Sequence, residues 1–295
     1  MKPSDILLTD QVAIVTGGGG GIGRGISLAM AAAGADVVIA DIEPTRCEET
    51  AARVREMGRR ALPFPTDVMD TDQIRAMIAA TDKEFGRVDI LVNNAGGVTA
   101  RKFLEQSERS WRRHIDINMV SMMAATHAAA PIMIRGGRGG SIINVASIEA
   151  SRAAPRFAVY AACKAGMANF TRTMAVELGE YGIRVNCISP DHTQTPGNHG
   201  NRSGPVDKSK WVPRTQAQNE AYARLVPLGR EGDEDECGTA AVFLASKMAS
   251  YISGVNLPVD GGTFASSGWL KTLDGSAWEL NVGLLTSALD KPMSS

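Results

Sequence analysis

The sequence predicts an α/β fold in which one parallel sheet is wound on both faces by helices. Three observations lead there. Short β-branched runs alternate with longer helical stretches over most of the chain. The runs are apolar throughout rather than alternating, as expected of strands covered on both faces. The first run ends in a glycine-rich turn that opens directly into a helix.

The elements follow in order. Residues 12–15 form a strand that ends in glycines, and 22–33 a helix. Residues 36–40 form a second strand, 45–57 a second helix and 61–65 a third strand. A helix over 71–85 leads to a fourth strand at 88–92. One long helical region is expected over 107–133, then a fifth strand at 141–145. A helix over 159–180 precedes a sixth strand at 184–188. A last helix covers 233–245, and 256–259 adds a seventh strand. Right-handed crossovers wind such units into a layered sheet. With no repeat and no linker before residue 190, the chain is read as a single domain.

Two segments break the alternation. Residues 191–228 are polar and rich in Gly, Asn, Pro, Lys and Arg. A structureless loop of that length is usually functional, and it is read here as a lid. Residues 263–295 carry Trp269, Trp278 and several leucines, which predicts packing rather than a free tail. The expected organisation is therefore a dinucleotide-binding catalytic domain over 1–262, with its lid at 191–228, and a C-terminal extension over 263–295.

Composition narrows the function classes. The chain has 295 residues, 44% hydrophobic and 21% charged, with a net charge of −1. That suits a soluble globular protein and gives no electrostatic case for a nucleic-acid partner. No apolar run of membrane-spanning length is evident, nor the layout of a signal peptide at the N-terminus. Cys47, Cys163, Cys187 and Cys237 are scattered without a close pair, which excludes a disulfide scaffold and a cysteine zinc site. His114, His127, His192 and His199 lack metal-ligand spacing, so no metal is expected. These features together predict a cytoplasmic protein.

The chemistry begins at Thr16-Gly-Gly-Gly-Gly-Gly-Ile22-Gly23. Glycines here allow the tight turn and bring backbone close to a pyrophosphate, while the helix N-terminus offers free N–H groups. A flexible linker would not sit between a strand and its helix. A mononucleotide loop would need Lys and then Ser or Thr after the last glycine, where this chain has Arg24 and Gly25. With this turn the expected fold is Rossmann-like. Asp41 ends the second strand 18 residues after Gly23. A carboxylate there accepts hydrogen bonds from the adenosine ribose and repels the extra phosphate of NADP. Ile42 and Glu43 follow, with no adjoining base, so NAD is expected rather than NADP.

Tyr160 and Lys164 are four residues apart on a predicted helix and share a face. A free phenol titrates near ~10. A nearby ammonium favours the phenolate, which lets the pair exchange a proton with an alcohol or ketone oxygen. Ser147 lies 13 residues upstream, at the carboxyl end of a strand, where its hydroxyl can hydrogen-bond the reacting oxygen. Each signal is weak by itself; in this order, after a dinucleotide turn, they are strong.

These motifs resemble the short-chain dehydrogenase/reductase family over residues 10–262. Its Thr-Gly-x-x-x-Gly-x-Gly turn matches Thr16, Gly17, Gly21 and Gly23. Its Asn-Asn-Ala-Gly motif matches Asn93, Asn94, Ala95 and Gly96, and its catalytic set matches Asn118, Ser147, Tyr160 and Lys164. The resemblance implies that Tyr160 is the general acid/base and that Lys164 tunes it and holds the nicotinamide ribose. It implies that Ser147 polarises the substrate oxygen and that Asn118 holds a water linked to Lys164. The implied cofactor contacts are Gly17, Gly21, Ile22 and Gly23 at the turn, Asp41 at the ribose, and Asp67 and Val68 at the adenine. Asn94, Ala95, Gly96, Pro190 and Thr195 complete that set, together with Tyr160 and Lys164 themselves. Gly261 and Gly262 match a late signature near the family's subunit interface, and the face from Met119 to Ala130 matches a helix that builds a tetramer interface. A homotetramer or homodimer follows as the expected assembly.

The chain departs from the pattern in two places. Asp191 follows Pro190 where glycine is usual, and Thr193 stands two residues before Thr195 where members often carry an apolar residue. The expected reaction is NAD-linked hydride transfer between a secondary alcohol and its ketone, in the oxidative direction. The expected substrate is a small molecule, cyclic or steroid-like, with a sugar-like polyol and a 3-oxoacyl thioester left open. Arg202, Lys208, Lys210 and Arg214 make the lid basic, although Asp207 and Glu220 dilute the charge. Trp211, Tyr222 and Trp269 either line a substrate or pack the lid. Cys163 is read as a small buried residue, and the acidic run 233–236 as helix N-terminal charge. His114 and His192 are read as non-catalytic, though His192 can reach substrate from the lid. Two rival functions remain: an NADPH-linked 3-oxoacyl thioester reductase, and a non-catalytic NAD-sensing binding protein. An intact Ser147, Tyr160 and Lys164 disfavours the second.

Overall fold

The computed structural model describes residues 2–201, 204–207, 209, 211–272 and 274–280. Seven parallel strands form one sheet in the order β3-β2-β1-β4-β5-β6-β7. They are β1 Val12–Thr16, β2 Asp36–Asp41, β3 Ala61–Pro65, β4 Ile90–Asn93, β5 Gly140–Val145, β6 Ile183–Pro190 and β7 Asn256–Val259. This is the Rossmann-like, doubly wound single domain that the alternation predicts.

Because side chains alternate across each strand, one strand feeds two cores. Ala13, Val15, Val37, Ile39, Ile90 and Val92 face one side. They pack under α1 Gly21–Ala32, α2 Pro44–Glu56 and α8 Glu234–Ala245. Val12, Ile14, Val38, Ala40 and Leu91 face the other, under α3 Thr71–Phe85 and α5 Ser121–Gly136. Burial on both faces is why these strands read as unbroken apolar runs.

The strand order reverses between β1 and β4, which leaves a crevice at their carboxyl ends. Two features hold the walls of that crevice. Asn93 Nδ2 donates to Asn144 Oδ1 at 2.8 Å and to Thr126 Oγ1 at 3.2 Å, and Asn144 Nδ2 donates to Thr171 Oγ1 at 2.8 Å. This buried network ties β4 and β5 to α5 and to α6 Ala158–Glu177. On the opposite face α1 and α8 approach through glycines. A Cβ on Gly25 would lie 2.4 Å from the Glu234 carbonyl oxygen. Arg24 Nη2 meets Glu234 Oε1 at 2.7 Å beside that contact.

The structure departs from the sequence reading at two points and adds detail at a third. The long helix over 107–133 is α4 Glu108–Ile115, a π-turn Asp116–Val120 and α5. The stretch 108–136 is apolar and long enough to cross a membrane by length and composition, although no single run suggested it. Here Ala125, Ala129 and Met133 pack into the second core. Segment 191–228, expected to be a lid, is not structureless: it holds a 3-10 turn, Pro196–His199, and a helix, α7 Gln216–Leu225. Thr215 caps α7, accepting from Gln218 N while the Gln218 side chain returns to Thr215 N, a capping box that the polar composition hid. The extension beyond 262 forms α9 Thr263–Ser266 and a hairpin of β8 Trp269–Lys271 with β9 Trp278–Leu280. It packs on the lid, where Arg224 Nε donates to the Lys271 carbonyl at 2.7 Å and Arg224 Nη2 meets Glu279 Oε1 at 2.8 Å.

The α1–α8 approach gives a test. Gly25→Ala gains helix propensity of about 1 kcal/mol, yet its methyl would meet backbone that cannot rotate away. A net loss of about 2 kcal/mol or more is expected in denaturant unfolding. A stabilised variant would contradict this packing.

Candidate active site

The crevice is floored by the turn after β1. Gly17 and Gly21 have φ of +63° and +52°, which favour glycine. A Cβ on Gly23 would fall 2.0 Å from the Gly17 carbonyl oxygen. The turn is fixed from below by Thr16, whose Oγ1 accepts from Asn94 N at 3.0 Å and Ala95 N at 3.1 Å. Asn94 Nδ2 donates to the Thr16 carbonyl at 2.9 Å and the Gly17 carbonyl at 3.2 Å. The motif at 93–96 thus holds the turn from the neighbouring strand. This side-chain-free cradle at the start of α1 fits a pyrophosphate. Ile22, inside the cradle, packs against the first core. Thr195 and Pro196 lie against Gly21, within 3.3 Å of where its Cβ would stand.

Asp41 ends β2 beside the glycine turn. Its Oδ2 accepts from Gly19 N and its Oδ1 from Glu43 N, both at 3.1 Å. Burial raises its pKa, while those N–H groups and Arg46 oppose the rise. No base adjoins Asp41 in sequence, but the structure brings Arg46 close to it. Five residues on and buried, Arg46 lies over Gly19. Its guanidinium is not free: Nε donates to the Gly204 carbonyl at 2.6 Å and Nη2 to the Asn201 carbonyl at 2.8 Å. Glu43 Oε2 accepts from Gly204 N at 3.2 Å. Asn201 and Gly204 are therefore fastened to the start of α2. Asp67 Oδ1 accepts from Met69 N at 2.9 Å, and Val68 is buried in the second core.

On the other wall stand Ser147, Tyr160 and Lys164. Ser147 follows β5 and accepts from Glu149 N at 3.2 Å. Its hydroxyl interacts with that of Tyr160 and favours the phenolate. Burial nonetheless dominates and pushes Tyr160 up to about 12, with Glu149 and Asp191 adding to the rise. The sequence reading had the ammonium lowering the phenol. In the structure Lys164 Nζ lies 5.6 Å from the Tyr160 ring centre and donates to the Val145 carbonyl at 2.7 Å. Burial brings Lys164 itself down to about 8. A Cβ on Gly96 would lie 3.5 Å from Lys164 Nζ and 2.8 Å from Asn118 Oδ1, so glycine is needed between them.

Asn118 sits in the π-turn, and π-turns often mark functional positions. The turn lets Nδ2 reach the Gly97 carbonyl at 2.8 Å and the His114 carbonyl at 2.9 Å, while Oδ1 accepts from Gly97 N at 3.2 Å. His114 is structural: Nε2 accepts from Thr99 N at 3.2 Å and Nδ1 contacts the Ser110 carbonyl at 2.8 Å.

Pro190 ends β6 beside Val259, and Asp191 N donates to the Val259 carbonyl at 3.3 Å. The aromatics of the lid pack it internally. Trp211 stacks on His199 with centroids 4.1 Å apart, and Tyr222 lies under Arg214 at 4.0 Å. Arg214 also pairs with Glu231. Arg202, Lys208 and Lys210 of the basic lid lie outside the described residues, as does the extension beyond 280. Among the described residues no cluster suited to a metal ion occurs.

Residues 17–263 match a family model described as enoyl-(acyl carrier protein) reductase. A short chain dehydrogenase/reductase, astE, of Aspergillus oryzae is 38% identical over 257 residues, 86% of this chain and 95% of the relative. A 7α-hydroxysteroid dehydrogenase solved with NADH and 7-oxo glycochenodeoxycholic acid superposes with TM-score 0.80 and 31% identity, covering 89% of this chain and 97% of that one. A gluconate 5-dehydrogenase of Burkholderia cenocepacia J2315, solved with NADP and tartrate, gives 0.79 and 32% over 89% and 98%. The chain belongs to the short-chain dehydrogenase/reductase family and is an NAD(P)-dependent oxidoreductase.

The buried ammonium gives a pH test. Lys164 has a folded pKa of about 8 against an ordinary 10.5. Between those values the unfolded chain binds more protons, so stability rises with pH through that window. The parent should gain about 3 kcal/mol across it relative to Lys164→Met, measured by denaturant unfolding at each pH. Parallel curves would mean that the ammonium carries no such burial cost.

Proposed function

We propose that the protein is an NAD-dependent dehydrogenase of secondary alcohols, with Tyr160 as its general acid/base. The carrying observation is the convergence of Ser147, Tyr160 and Lys164 on one wall of a crevice floored by a phosphate cradle. The bound dinucleotide supplies the hydride acceptor. Gly17, Gly21, Ile22, Gly23 and Thr195 would hold its pyrophosphate side, and Asp41, Asp67 and Val68 its adenosine side. Asn94, Ala95, Gly96 and Pro190 line the path between.

Each side chain has a task set by its surroundings. Ser147 donates to the substrate oxygen and orients the carbinol carbon. Tyr160 takes the hydroxyl proton at its phenolic oxygen and returns it in the reverse reaction. Lys164 places a positive charge in the low-dielectric pocket, where it supports the phenolate more than it would in water. Asn118 is the positioning residue, holding the 97 backbone beside Gly96 and Lys164.

Asp41 supports NAD over NADP. Its carboxylate stands at the end of β2, and Arg46, the base near it among the described residues, is spent on the carbonyls of Asn201 and Gly204. An NADPH-linked reductase of acyl thioesters would want that guanidinium for a phosphate. Assembly as a homodimer or homotetramer, a cytoplasmic setting and the lid role of 191–228 belong to the same proposal.

Two measurements test the reading. Tyr160→Phe should lower kcat about 10²- to 10⁴-fold while the cofactor Kd stays within about threefold of the parent. A Phe variant with near-normal turnover would overturn the acid/base assignment. Parent kcat/KM should favour NAD over NADP by about tenfold or more, one charged contact in magnitude. A preference for NADP would overturn the Asp41 assignment.

A further inference from the structure

The match to the family model ends at residue 263, so the β8–β9 hairpin lies beyond it. The hairpin is nevertheless joined to α7 at several atoms. Arg224, in the last turn of α7, donates from Nε to the Lys271 carbonyl at 2.7 Å and meets Glu279 Oε1 through Nη2 at 2.8 Å. One guanidinium therefore holds both strands. Lys271 Nζ returns a bond to the Pro227 carbonyl at 3.0 Å, just past the end of the helix.

Neither partner has the means to stand alone. Helix α7 has 10 residues, and none of them is buried. An isolated helix of that length is marginal in water. Strands β8 and β9 have 3 residues each, and a lone two-stranded hairpin is marginal too. Docking of either element therefore supports the other, with Arg224 as the shared member.

Helix α7 in turn bears on the crevice. Tyr222, one position from the last turn, meets His192 edge-on with ring centroids 5.2 Å apart. His192 lies in the segment that runs from the end of β6 to the cradle. At the start of that segment Arg152 Nη2 donates to Asp191 Oδ2 at 3.4 Å and to Glu149 Oε1 at 2.8 Å, which ties it to the turn after Ser147. At its end Thr195 and Pro196 lie against Gly21. His192 has φ of +42°, an uncommon conformation for a residue with a side chain. It is held there by Gly232 N, which donates to its carbonyl at 3.1 Å, and by the Tyr222 ring.

We propose that the hairpin is a strap that sets cofactor affinity, with Arg224 as the positioning residue that fastens it. With the strap docked, α7 keeps Tyr222 against His192, and Thr195 and Pro196 stay seated on the cradle. With the strap released, α7 frays and those two residues lose their backing. This rests on the reading of the cradle as the dinucleotide site and is independent of which alcohol is oxidised.

The test is calorimetric binding of NAD and of NADP, with amide hydrogen exchange, on the full-length parent, Arg224→Met, Arg224→Lys and Glu279→Ala. For the cofactor that the parent binds more tightly, Arg224→Met should raise Kd about fivefold or more, the low end of ordinary coupling between sites. Exchange in α7 and in the hairpin should quicken together, by about tenfold or more. Arg224→Lys and Glu279→Ala each keep part of the contact and should fall between the parent and Arg224→Met. A folded Arg224→Met with a Kd within about twofold of the parent overturns the proposal. So does an α7 that keeps its protection while the hairpin loses it. If Arg224→Met does not fold, Glu279→Ala decides by the same two readings. A parent that binds neither cofactor overturns both this proposal and the cradle reading. A parent and variants that behave as expected, in a protein that oxidises no alcohol, support the strap and overturn the dehydrogenase reading alone.

Discussion

A buried ammonium organises this site. Lys164 has its charge at the end of β5, with the Val145 carbonyl as its hydrogen-bond acceptor and Gly96 and Asn118 close by. Burying that charge works against folding, and its lowered pKa expresses the cost. The surrounding geometry follows from accommodating it. Gly96 must lack a side chain, Asn118 must be turned inward by a π-turn, and β5 must end where its last carbonyl reaches Nζ. Tyr160 stands one helical turn before Lys164 and is carried to the same place.

The unliganded phenol is not poised by that charge alone. Burial and the carboxylates of Glu149 and Asp191 raise Tyr160, whereas Ser147 acts in the other direction. In the proposed reaction the phenol must become a competent base only in the assembled ternary complex. A bound oxidised nicotinamide would supply positive charge, and Lys164, with Nζ 5.6 Å from the Tyr160 ring centre, would add to the stabilisation of the phenolate.

Much of the fold was legible because the inner strands are buried on both faces and each crossover helix follows at short range. The turn at 16–23 and the spacing of Ser147, Tyr160 and Lys164 were legible because local geometry alone brings them to the crevice. The rest depended on contacts distant in sequence. Arg46 looks like an exposed helix arginine until the Asn201 and Gly204 carbonyls meet it. Asn118 looks like one residue of a continuous helix, since a π-turn leaves no compositional mark. Helix α7 lies in a polar segment whose capping box is visible only after the helix is known. The charged group of Glu149, Arg152 and Asp191 spans two strand ends. Only the fact that Glu149 follows Ser147 by two residues hinted at its place.

The most direct test is an ultraviolet titration of Tyr160 with and without NAD, in a chain whose three other tyrosines, Tyr181, Tyr222 and Tyr251, are phenylalanine. The free protein should show a phenol titrating at about 12, and saturation with NAD should lower it by about two units or more, the size expected of adjacent opposite charge. A phenol that titrates at the same pH in both states would contradict the account.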